Sequence, residues 1–330
     1  MPLLEEIHMK RESKSYIDSL YVILTAADLF SGPKYMLSGL SGMAFKFAVH
    51  EQLLHLSVTA YGQWGDEHGP AIANLGLYTE WDGGRTRHPT FSYYQQEAIK
   101  AVKQSIDQGV GVIYWLPEFG VIQGYDDEDS IFYVQDGWSE ERKIVLYDNF
   151  GLNFTPFWYW QTFRDKVILD FEYQVLESLR LAIQDWVTPH KTLPNTDIGS
   201  GKLAYTFLIQ ALQQGEYDEG GAVYILDSYM YSREEIACYL REVQGTFSEL
   251  KIASSQYDEL LLVIAGINRC ITNIAGNRQV DRMRISELCT LLQEAQSLED
   301  QAISQFQAIS SRFPDLKRST IPRWGSHSPR

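Results

Sequence analysis

The residue types that most often carry catalysis or bind metals occur in this sequence at spacings that support neither task. His50 and His55 flank Glu51 in a pattern that resembles a zinc-protease signature, but they lie five residues apart. On a helix that separation rotates one imidazole about 140° from the other, so the two rings do not share a face. We therefore expect structural or surface histidines. Residues 39–42 (GLSG) do not form a nucleophile elbow, because the second glycine falls one position early.

Recognisable cofactor and metal motifs are missing from the sequence as well. Gly109 and Gly111 end a helix and open a strand, the reverse of the order in a dinucleotide site. The acidic run at residues 126–129 lacks the glycine and distal glutamate of a calcium loop and is typical of an exposed turn. The three cysteines lie in apolar helical stripes of the second half and are interpreted as core residues. The sequence thus predicts no cofactor and no metal.

Aromatic side chains are dense between residues 61 and 160, and Tyr and Trp combine an apolar body with a polar tip. Such a set suits a pocket for a small amphipathic ligand, and ordinary core packing is the alternative interpretation. The predicted substrate-binding residues are Trp64, Trp81, Tyr94, Trp115 and Tyr125. Acidic residues beside two of these tryptophans favour a cationic or amine-bearing ligand. They are Asp66, Glu67, Glu80 and Asp82.

Length and composition limit the classes of protein that remain. A chain of 330 residues is long enough for about two domains and a sizeable core. Its content of 45% apolar and 22% charged residues excludes fibrous and disordered classes. A net charge of −15 disfavours nucleic-acid binding, since phosphates require clustered Lys and Arg. Three cysteines imply no disulfide framework, and no apolar run reaches the roughly 18 residues of a membrane span. We expect a soluble cytoplasmic protein without a signal peptide.

The elements that must position these residues differ between the two halves of the chain. Apolar residues recur at helical spacing over residues 15–30 and 90–108, with Ser15 at the position of an N-cap. Short apolar runs predict four strands, at residues 110–116, 119–124, 131–134 and 143–147. A helix followed by an antiparallel sheet makes the first half an α+β domain.

Apolar stripes at helical spacing dominate the second half of the chain. The predicted helices are 174–186, 202–214, 233–243, 255–275 and 283–313. The last two are long enough to pair as antiparallel neighbours or to support a homodimer. This pattern divides the chain into a first domain at residues 1–168, a helical domain at 169–313 and a polar tail at 314–330. We expect the tail to be poorly ordered.

Several segments of the first half together resemble a known family. A helix opens near Ser15, residues 42–45 (GMAF) follow, and two strands carry residues 117–126 (PEFGVIQGYD) and 132–136 (FYVQD). Over about residues 8–165 the chain resembles the N-terminal domain of the butirosin biosynthesis protein H family, which is related to bacteriocin-processing cysteine peptidases. The resemblance implies a papain-like domain, followed by the helical region that bacterial members carry.

In the papain-like plan a cysteine begins the first helix, where the helix dipole lowers the pKa of its thiol. A histidine on a later strand is the base, and an aspartate on the next strand orients it. The resemblance places these slots on Ser15 (or nearby Ser13), Glu118 and Asp136, so two of the three residue types are changed. If Glu118 and Asp136 face each other, one of them holds a proton near neutral pH. A pair of solvated strand-end acids is the alternative.

The resemblance implies acyl transfer in bacterial specialised-metabolite biosynthesis, because the namesake moves an acyl group from a carrier protein to an aminoglycoside amine. By this analogy the chain is acyltransferase-like and acts on a small amine or carrier-bound acyl group bound between its halves, with Ser15, Glu118 and Asp136 as catalytic residues. The missing cysteine keeps two alternatives open: a non-catalytic small-molecule-binding pseudoenzyme and a module that docks an acyl carrier protein. Convergence of the three side chains favours catalysis, whereas a Ser15 that only caps its helix favours binding.

Overall fold

The structure is a computed structural model that describes residues 2–191 and 196–315. Its helices, in chain order, are α1 (Ser15–Ala26), α2 (Lys34–Leu40), α3 (Trp64–Ala73), α4 (Phe91–Asp107), α5 (Phe171–Val187), α6 (Lys202–Gln214), α7 (Glu219–Val243), α8 (Leu250–Asn268) and α9 (Ile285–Ser310). Its strands are β1 (Ala48–His50), β2 (Leu77–Arg85), β3 (Val112–Trp115), β4 (Phe119–Asp126), β5 (Ile131–Gln135), β6 (Lys143–Leu146), β7 (Phe157–Lys166), β8 (Ile198–Ser200), β9 (Ile271–Ile274) and β10 (Asn277–Val280).

The chain divides into two compact units, each made of two segments. The first unit comprises Met1–Pro33 and Gly76–Ile168, and the second comprises Lys34–Leu75 and Leu169–Arg330. The expected boundary after residue 168 coincides with the end of the first unit, but residues 34–75 group with the helical unit. The reason is the packing of α2 on α7, where a Cβ on Gly39 would lie 2.2 Å from the ring of Tyr239. The tail expected at 314–330 lies outside the described residues from position 316 onward.

An antiparallel sheet of six strands forms the centre of the first unit, in the order β2-β7-β3-β4-β5-β6. Val112, Tyr114 and Ile122 pack with Ala98 and Val102 of α4 on one face, whereas the alternate residues of β3 and β4 face α1. Because both faces are covered, the central strands are apolar at nearly every position instead of alternating. This explains the continuous apolar runs that predict them.

The strand registers give this sheet two distinct ends. Arg85 of β2 pairs with Phe157 of β7, and Trp115 of β3 pairs with Phe119 of β4. Tyr114 of β3 also pairs with Trp160 of β7. It follows that Arg85, Phe157 and the β3–β4 turn all lie at the same end of the sheet. The acidic turn that follows Asp126 lies at the opposite end.

The four predicted strands are confirmed as β3 to β6, each to within two residues. Local sequence patterns do not predict strands β2 and β7, although they pair over nine positions. Gly83 and Gly84 within β2 are typical of a turn, and β7 mixes aromatic with charged residues. Pairing with neighbouring strands overrides these weak local preferences. The mixed helix and sheet composition, the antiparallel sheet and the helical C-terminal region agree with the expected α+β class.

The predicted helices of the second half are present, with changed ends. Helix α7 begins fourteen residues before the predicted start at 233, and Gly221 in its first turn would place a Cβ 2.0 Å from the carbonyl oxygen of Leu53. Helix α8 ends at Asn268, before the β9–β10 hairpin. Helices α8 and α9 are antiparallel, since Glu249 beside the start of α8 pairs with Arg312 after the end of α9 at 2.9 Å. Within the described residues, no helix is long and apolar enough to cross a bilayer.

A buried ion pair lies in the core of the helical unit. Arg233 of α7 donates from Nε and Nη2 to the carboxylate of Glu299 of α9, at 2.8 and 3.0 Å. The hydroxyls of Tyr205, Tyr229 and Tyr257 also donate to Glu299. Such a pair is tolerated in a core because each charge has a partner and further hydrogen bonds satisfy the remaining sites.

We expect Glu299→Gln to lower the free energy of unfolding by about 3 to 5 kcal/mol, because it leaves the Arg233 guanidinium buried without its counter-charge. Asp258→Asn is the matched control, since Asp258 pairs with Arg241 at the surface. Such exposed pairs contribute about 0 to 1 kcal/mol. Urea unfolding followed by circular dichroism at a helical wavelength measures both. Equal destabilisation by the two variants contradicts the assignment.

Candidate functional site

Ser15 is the first residue of α1, and its hydroxyl does not cap the helix. The N-cap is Lys14, in extended conformation and without a side-chain capping bond, so the predicted N-cap at Ser15 is wrong. The carboxylate of Asp18 reaches back instead and accepts from the N–H groups of Glu12 and Ser13, each at 3.0 Å. Asp18 thus accepts from the main-chain N–H groups that precede the helix, and the Ser15 hydroxyl is directed toward other partners.

Glu118 lies in the tight turn between β3 and β4, and its backbone is strained. Its φ is +94°, a region that favours glycine, and its carbonyl accepts from the N–H of Leu116 at 2.8 Å. A non-glycine residue held at such a φ costs about 1 to 3 kcal/mol and persists only where its surroundings fix it. The carboxylate is buried and directed toward the start of α1.

Ser15 and Glu118 come together although they are 103 positions apart in the chain. The Ser15 hydroxyl donates to Oε2 of Glu118 and accepts from the N–H of Phe119 at 3.2 Å. Ser15 is fully buried. A hydroxyl that donates to a carboxylate is the arrangement in which a base activates a nucleophile, and here it lies at the N-terminus of a helix.

Arg11 links this pair to Asp136, and it is a site residue that sequence reasoning missed. Its Nη1 lies 3.5 Å from Oε2 of Glu118, and both side chains are only 7% exposed. Its Nε donates to the main-chain carbonyl of Asp136 at 2.6 Å, and its guanidinium stands 5.5 Å from the ring of Trp138. Nothing in the local pattern around Arg11 distinguishes it from any exposed cation before a helix.

The carboxylate of Asp136 is turned toward other partners than Glu118. It accepts from the ammonium of Lys143 and from the N–H of Trp138 at 3.1 Å. Partial burial acts to raise the pKa of Asp136, but the bonds from Lys143 and Trp138 and the charge of Arg11 together lower it below the ordinary value. Asp136 is therefore ionised at neutral pH. Asp136 is connected to the Ser15–Glu118 pair by its main-chain carbonyl, which accepts from Arg11.

Two of the predicted ligand-binding residues adjoin the Ser15–Glu118 pair through a series of aromatic rings. Phe119 contacts the ring of Trp115 at 5.1 Å and that of Tyr159 at 5.9 Å, and Tyr159 stacks on Trp81 at 6.0 Å. Trp115 is buried, whereas Trp81 is partly exposed on the edge strand β2. Trp81 is therefore the point of this series that a ligand in solution can reach.

The side chains of Asp82 and Trp81 lie on opposite faces of the sheet, because successive residues of a strand point to opposite faces. Trp81 pairs with Gln161, whose side chain accepts from Tyr16 of α1, whereas Asp82 pairs with Trp160 on the α4 face. Burial raises the pKa of the Asp82 carboxyl above its ordinary value. The amine site expected from Trp81 with Asp82 at its side is thus divided between two faces.

The other predicted binding residues lie apart from this cluster. Tyr125 is buried against α4 and donates to Asp107 at 2.8 Å. Tyr94 is exposed in the first turn of α4. Trp64 belongs to the second unit, where its indole N–H donates to the carbonyl of Thr59 at 2.8 Å.

Glu67, one of the acids expected to attract an amine, is neutralised within the second unit. It accepts from Lys46 and from Lys191, the latter at 3.3 Å, and both ammonium groups also contact Asp185. Burial and the nearby Lys46 charge lower the pKa of His68, so its imidazole is neutral at pH 7. These charges form a closed quartet rather than an open acidic site.

The histidines and cysteines have structural surroundings. His50 lies 3.3 Å from the carboxylate of Asp197, and the ring of His55 meets that of Tyr224 edge-on at 6.2 Å. Cys270 and Cys289 are buried and Cys238 is partly buried, all as free thiols, in agreement with the core interpretation. Among the described residues, no group of His, Cys, Asp or Glu has the arrangement of a metal site.

Comparison with known proteins finds no matching family model and no matching curated protein.

The strain at Glu118 is open to test by two substitutions at the same position. Both Glu118→Ala and Glu118→Gly remove the carboxylate, but only glycine adopts a φ of +94° freely. We expect the glycine variant to be more stable than the alanine variant by about 1 kcal/mol, against the usual order. Chemical denaturation measures both. An alanine variant of equal or greater stability shows that the turn relaxes.

The pH dependence of stability tests the surroundings of Asp136. Because its folded-state pKa is lowered, its contribution to stability is present above the ordinary value of about 3.9 and is lost as the pH falls through the folded pKa. We expect Lys143→Gln to raise the pKa of Asp136 and to shift acid unfolding to higher pH. Lys100→Gln, which removes an exposed partner of Glu97, is the control. Carboxyl NMR titration gives the pKa directly, and an unchanged value contradicts the role of Lys143.

Proposed function

We propose that this chain is a relative of the butirosin biosynthesis protein H family whose papain-like first unit binds a small amine-bearing or acyl-bearing molecule without turning it over. Element order supports the papain-like architecture, since a buried helix begins at the nucleophile slot and an antiparallel sheet carries the other two slots. Such a protein serves bacterial specialised-metabolite biosynthesis as a pseudoenzyme that holds or senses its ligand.

One observation carries this proposal: the hydroxyl of Ser15 is fully buried and engaged from two sides. Attack on an acyl donor requires its carbonyl carbon to approach the nucleophile to about 3 to 3.5 Å. At Ser15 the groups at hydrogen-bond distance are the Glu118 carboxylate and the Phe119 amide. The hydroxyl thus connects a helix to a strand turn, and a substrate must displace those groups to reach it.

The charges around Glu118 support the same conclusion. Taking the proton of Ser15 would neutralise Glu118 and leave the Arg11 guanidinium, 3.5 Å away, without that counter-charge in a buried site. A serine hydroxyl is also a weaker acid than a cysteine thiol and depends more on its base. Exchange of Cys and His for Ser and Glu therefore weakens the nucleophile and places a paired charge where the base stands.

The ligand contact that fits this function is Trp81, at the exposed end of the aromatic series that leads from Phe119. Its indole face binds apolar or cationic groups.

Acyl transfer is the second candidate, because the hydroxyl of Ser15 does donate to Glu118. In that reaction the Ser15 oxygen attacks the carbonyl of a carrier-bound thioester and the carbon–sulfur bond breaks. The hydroxyl proton passes through Glu118 to the leaving thiolate. A small amine then attacks the Ser15 ester, and its N–H proton returns to the serine oxygen as an amide forms.

Reaction of the full chain with p-nitrophenyl acetate separates the two functions. We expect wild type to release nitrophenol at a rate within about twofold of Ser15→Ala, and peptide mass spectrometry to find no acetyl group on Ser15. Ser13→Ala is the matched control, since it removes a neighbouring hydroxyl that donates to Asp18 at 3.0 Å. An acetyl group on Ser15, lost in Ser15→Ala and kept in Ser13→Ala, would establish acyl transfer instead.

Native mass spectrometry of the same purified proteins tests binding. We expect a small molecule that co-purifies with wild type and with Ser15→Ala at the same mass and occupancy, and that is lost from Trp81→Ala. A bound species whose mass changes in Ser15→Ala indicates turnover. A wild-type protein that carries no small molecule contradicts the binding function.

A further inference from the structure

A cavity of about 460 Å³ lies in the second unit, and its volume is that of a site for a small molecule. Its walls come from the end of α5, the start of α6 and the middle of α9, all within that unit. Of its apolar side chains, Trp186 and Ile303 are buried and Leu203 is half-buried. Among the described residues that line it, Lys202 and Asp300 are the charged ones, and each side chain is about half exposed. The cavity thus combines an apolar wall with one cation and one anion.

The carboxylate of Asp300 is held in place from two sides. The indole N–H of Trp186 donates to Oδ1 at 2.9 Å, and the ammonium group of Lys202 donates to Oδ2 at 2.9 Å. The ring of Trp186 in turn meets that of the buried Tyr205 edge-on at 6.0 Å. Partial burial acts to raise the pKa of the Asp300 carboxyl, but the bonds from Lys202 and Trp186 and the charge of Lys202 lower it below its ordinary value. Asp300 is therefore an ionised and oriented acceptor at neutral pH.

The main chain that carries Lys202 is fixed as well. Gln296 of α9 donates from its side chain to the carbonyl of Lys202 at 3.1 Å, which ties the start of α6 to α9. Lys202 is also the first residue of α6, and the N-cap, Gly201, supplies no side-chain cap. The positive end of the helix dipole therefore adds to the charge of Lys202 at this wall. Because both charged residues are anchored to helices, binding a ligand here requires little ordering of the protein.

Both members of the Lys202–Asp300 pair keep hydrogen-bonding capacity. An ammonium group can donate to more than one acceptor, and within the described residues that of Lys202 donates to Asp300 alone. A carboxylate can accept more bonds than the two that the oxygens of Asp300 receive. An exposed ion pair of this kind contributes little to stability by itself. The pair is thus free to take a further acceptor at Lys202 and a further donor at Asp300.

The buried quartet of the same unit shows what completes such a pair. Two ammonium groups and two carboxylates alternate there, because each lysine contacts both acids. Its members are Lys46, Glu67, Asp185 and Lys191. The described lining of the cavity supplies one ammonium group and one carboxylate. A ligand that carries one group of each sign completes the same alternation at the cavity.

We propose that this cavity binds a free amino acid with an apolar side chain. The ammonium group of the ligand donates to Asp300, and its carboxylate accepts from Lys202. Its side chain lies against the apolar wall that includes Leu203 and Ile303. A simple amine or a simple acid fits less well, because its charge then faces the member of the pair that has the same sign. The site belongs to a different unit from Trp81, and the inference does not depend on the function proposed above.

Isothermal titration calorimetry of the full chain with L-phenylalanine tests this site. Three analogues each remove one feature of the ligand: N-acetyl-L-phenylalanine lacks the ammonium charge, L-phenylalaninamide lacks the carboxylate, and glycine lacks the apolar side chain. We expect L-phenylalanine to bind and each analogue to bind about tenfold more weakly or worse. Asp300→Asn and Lys202→Gln should each weaken the binding of L-phenylalanine by about tenfold or more.

The matched control is Asp258→Asn, since Asp258 forms a pair of similar exposure with Arg241 and does not line the cavity. This variant and Trp81→Ala should each change binding less than about twofold, and circular dichroism verifies that each variant is folded. The proposal is overturned if L-phenylalanine does not bind, if any analogue binds equally well, or if Asp300→Asn and Lys202→Gln weaken binding no more than the control. It is also overturned if Trp81→Ala abolishes binding that Asp300→Asn retains, since the amino acid then binds in the first unit.

Discussion

A carboxylate buried in the turn of a sheet must be matched by donors, and at Glu118 this requirement ties three parts of the first unit together. Removing an ionised carboxylate from water costs several kcal/mol unless it is paired and hydrogen-bonded. Ser15 supplies a hydroxyl from the start of α1, and Arg11 supplies a charge from the segment before it. Arg11 in turn holds the end of β5 through the carbonyl of Asp136 and, by its own N–H, that of Gly137. One side chain thus fixes the start of the helix against the sheet.

Under the proposed relationship to proteins of the papain-like plan, the same contact changes which residues carry the charges of the site. In that plan a thiolate is negative and an imidazolium beside it is positive. Here the helix residue, Ser15, is neutral, and Glu118, in the turn between β3 and β4, forms its ion pair with Arg11. Under this proposal the ion pair joins Glu118, at the position of the base, to Arg11 instead of joining the nucleophile to its base. Only the side chains of Ser15 and Glu118 come together, and their contact holds the start of α1 against the turn between β3 and β4.

The second unit obeys the same rule with different residues. Glu299 is matched by Arg233 and by three tyrosine hydroxyls, and Lys46 and Lys191 offset Glu67 and Asp185 in the buried quartet. Because buried charges pair one with another, the excess negative charge of the chain is carried mainly at its surface.

Local signals in the sequence account for much of the fold but for less of the site. The apolar stripes of α6 and α9, and the turn residues around β4, are properties of neighbouring residues, so periodicity finds them. Strand β2 is different, because the glycines at its end are accepted only through pairing with β7, more than seventy residues later. The Ser15–Glu118 contact also depends on distant pairing, and only a family resemblance brings the two positions together in advance. Arg11 carries neither kind of signal, because its role arises from where the folded sheet places Glu118 and Asp136.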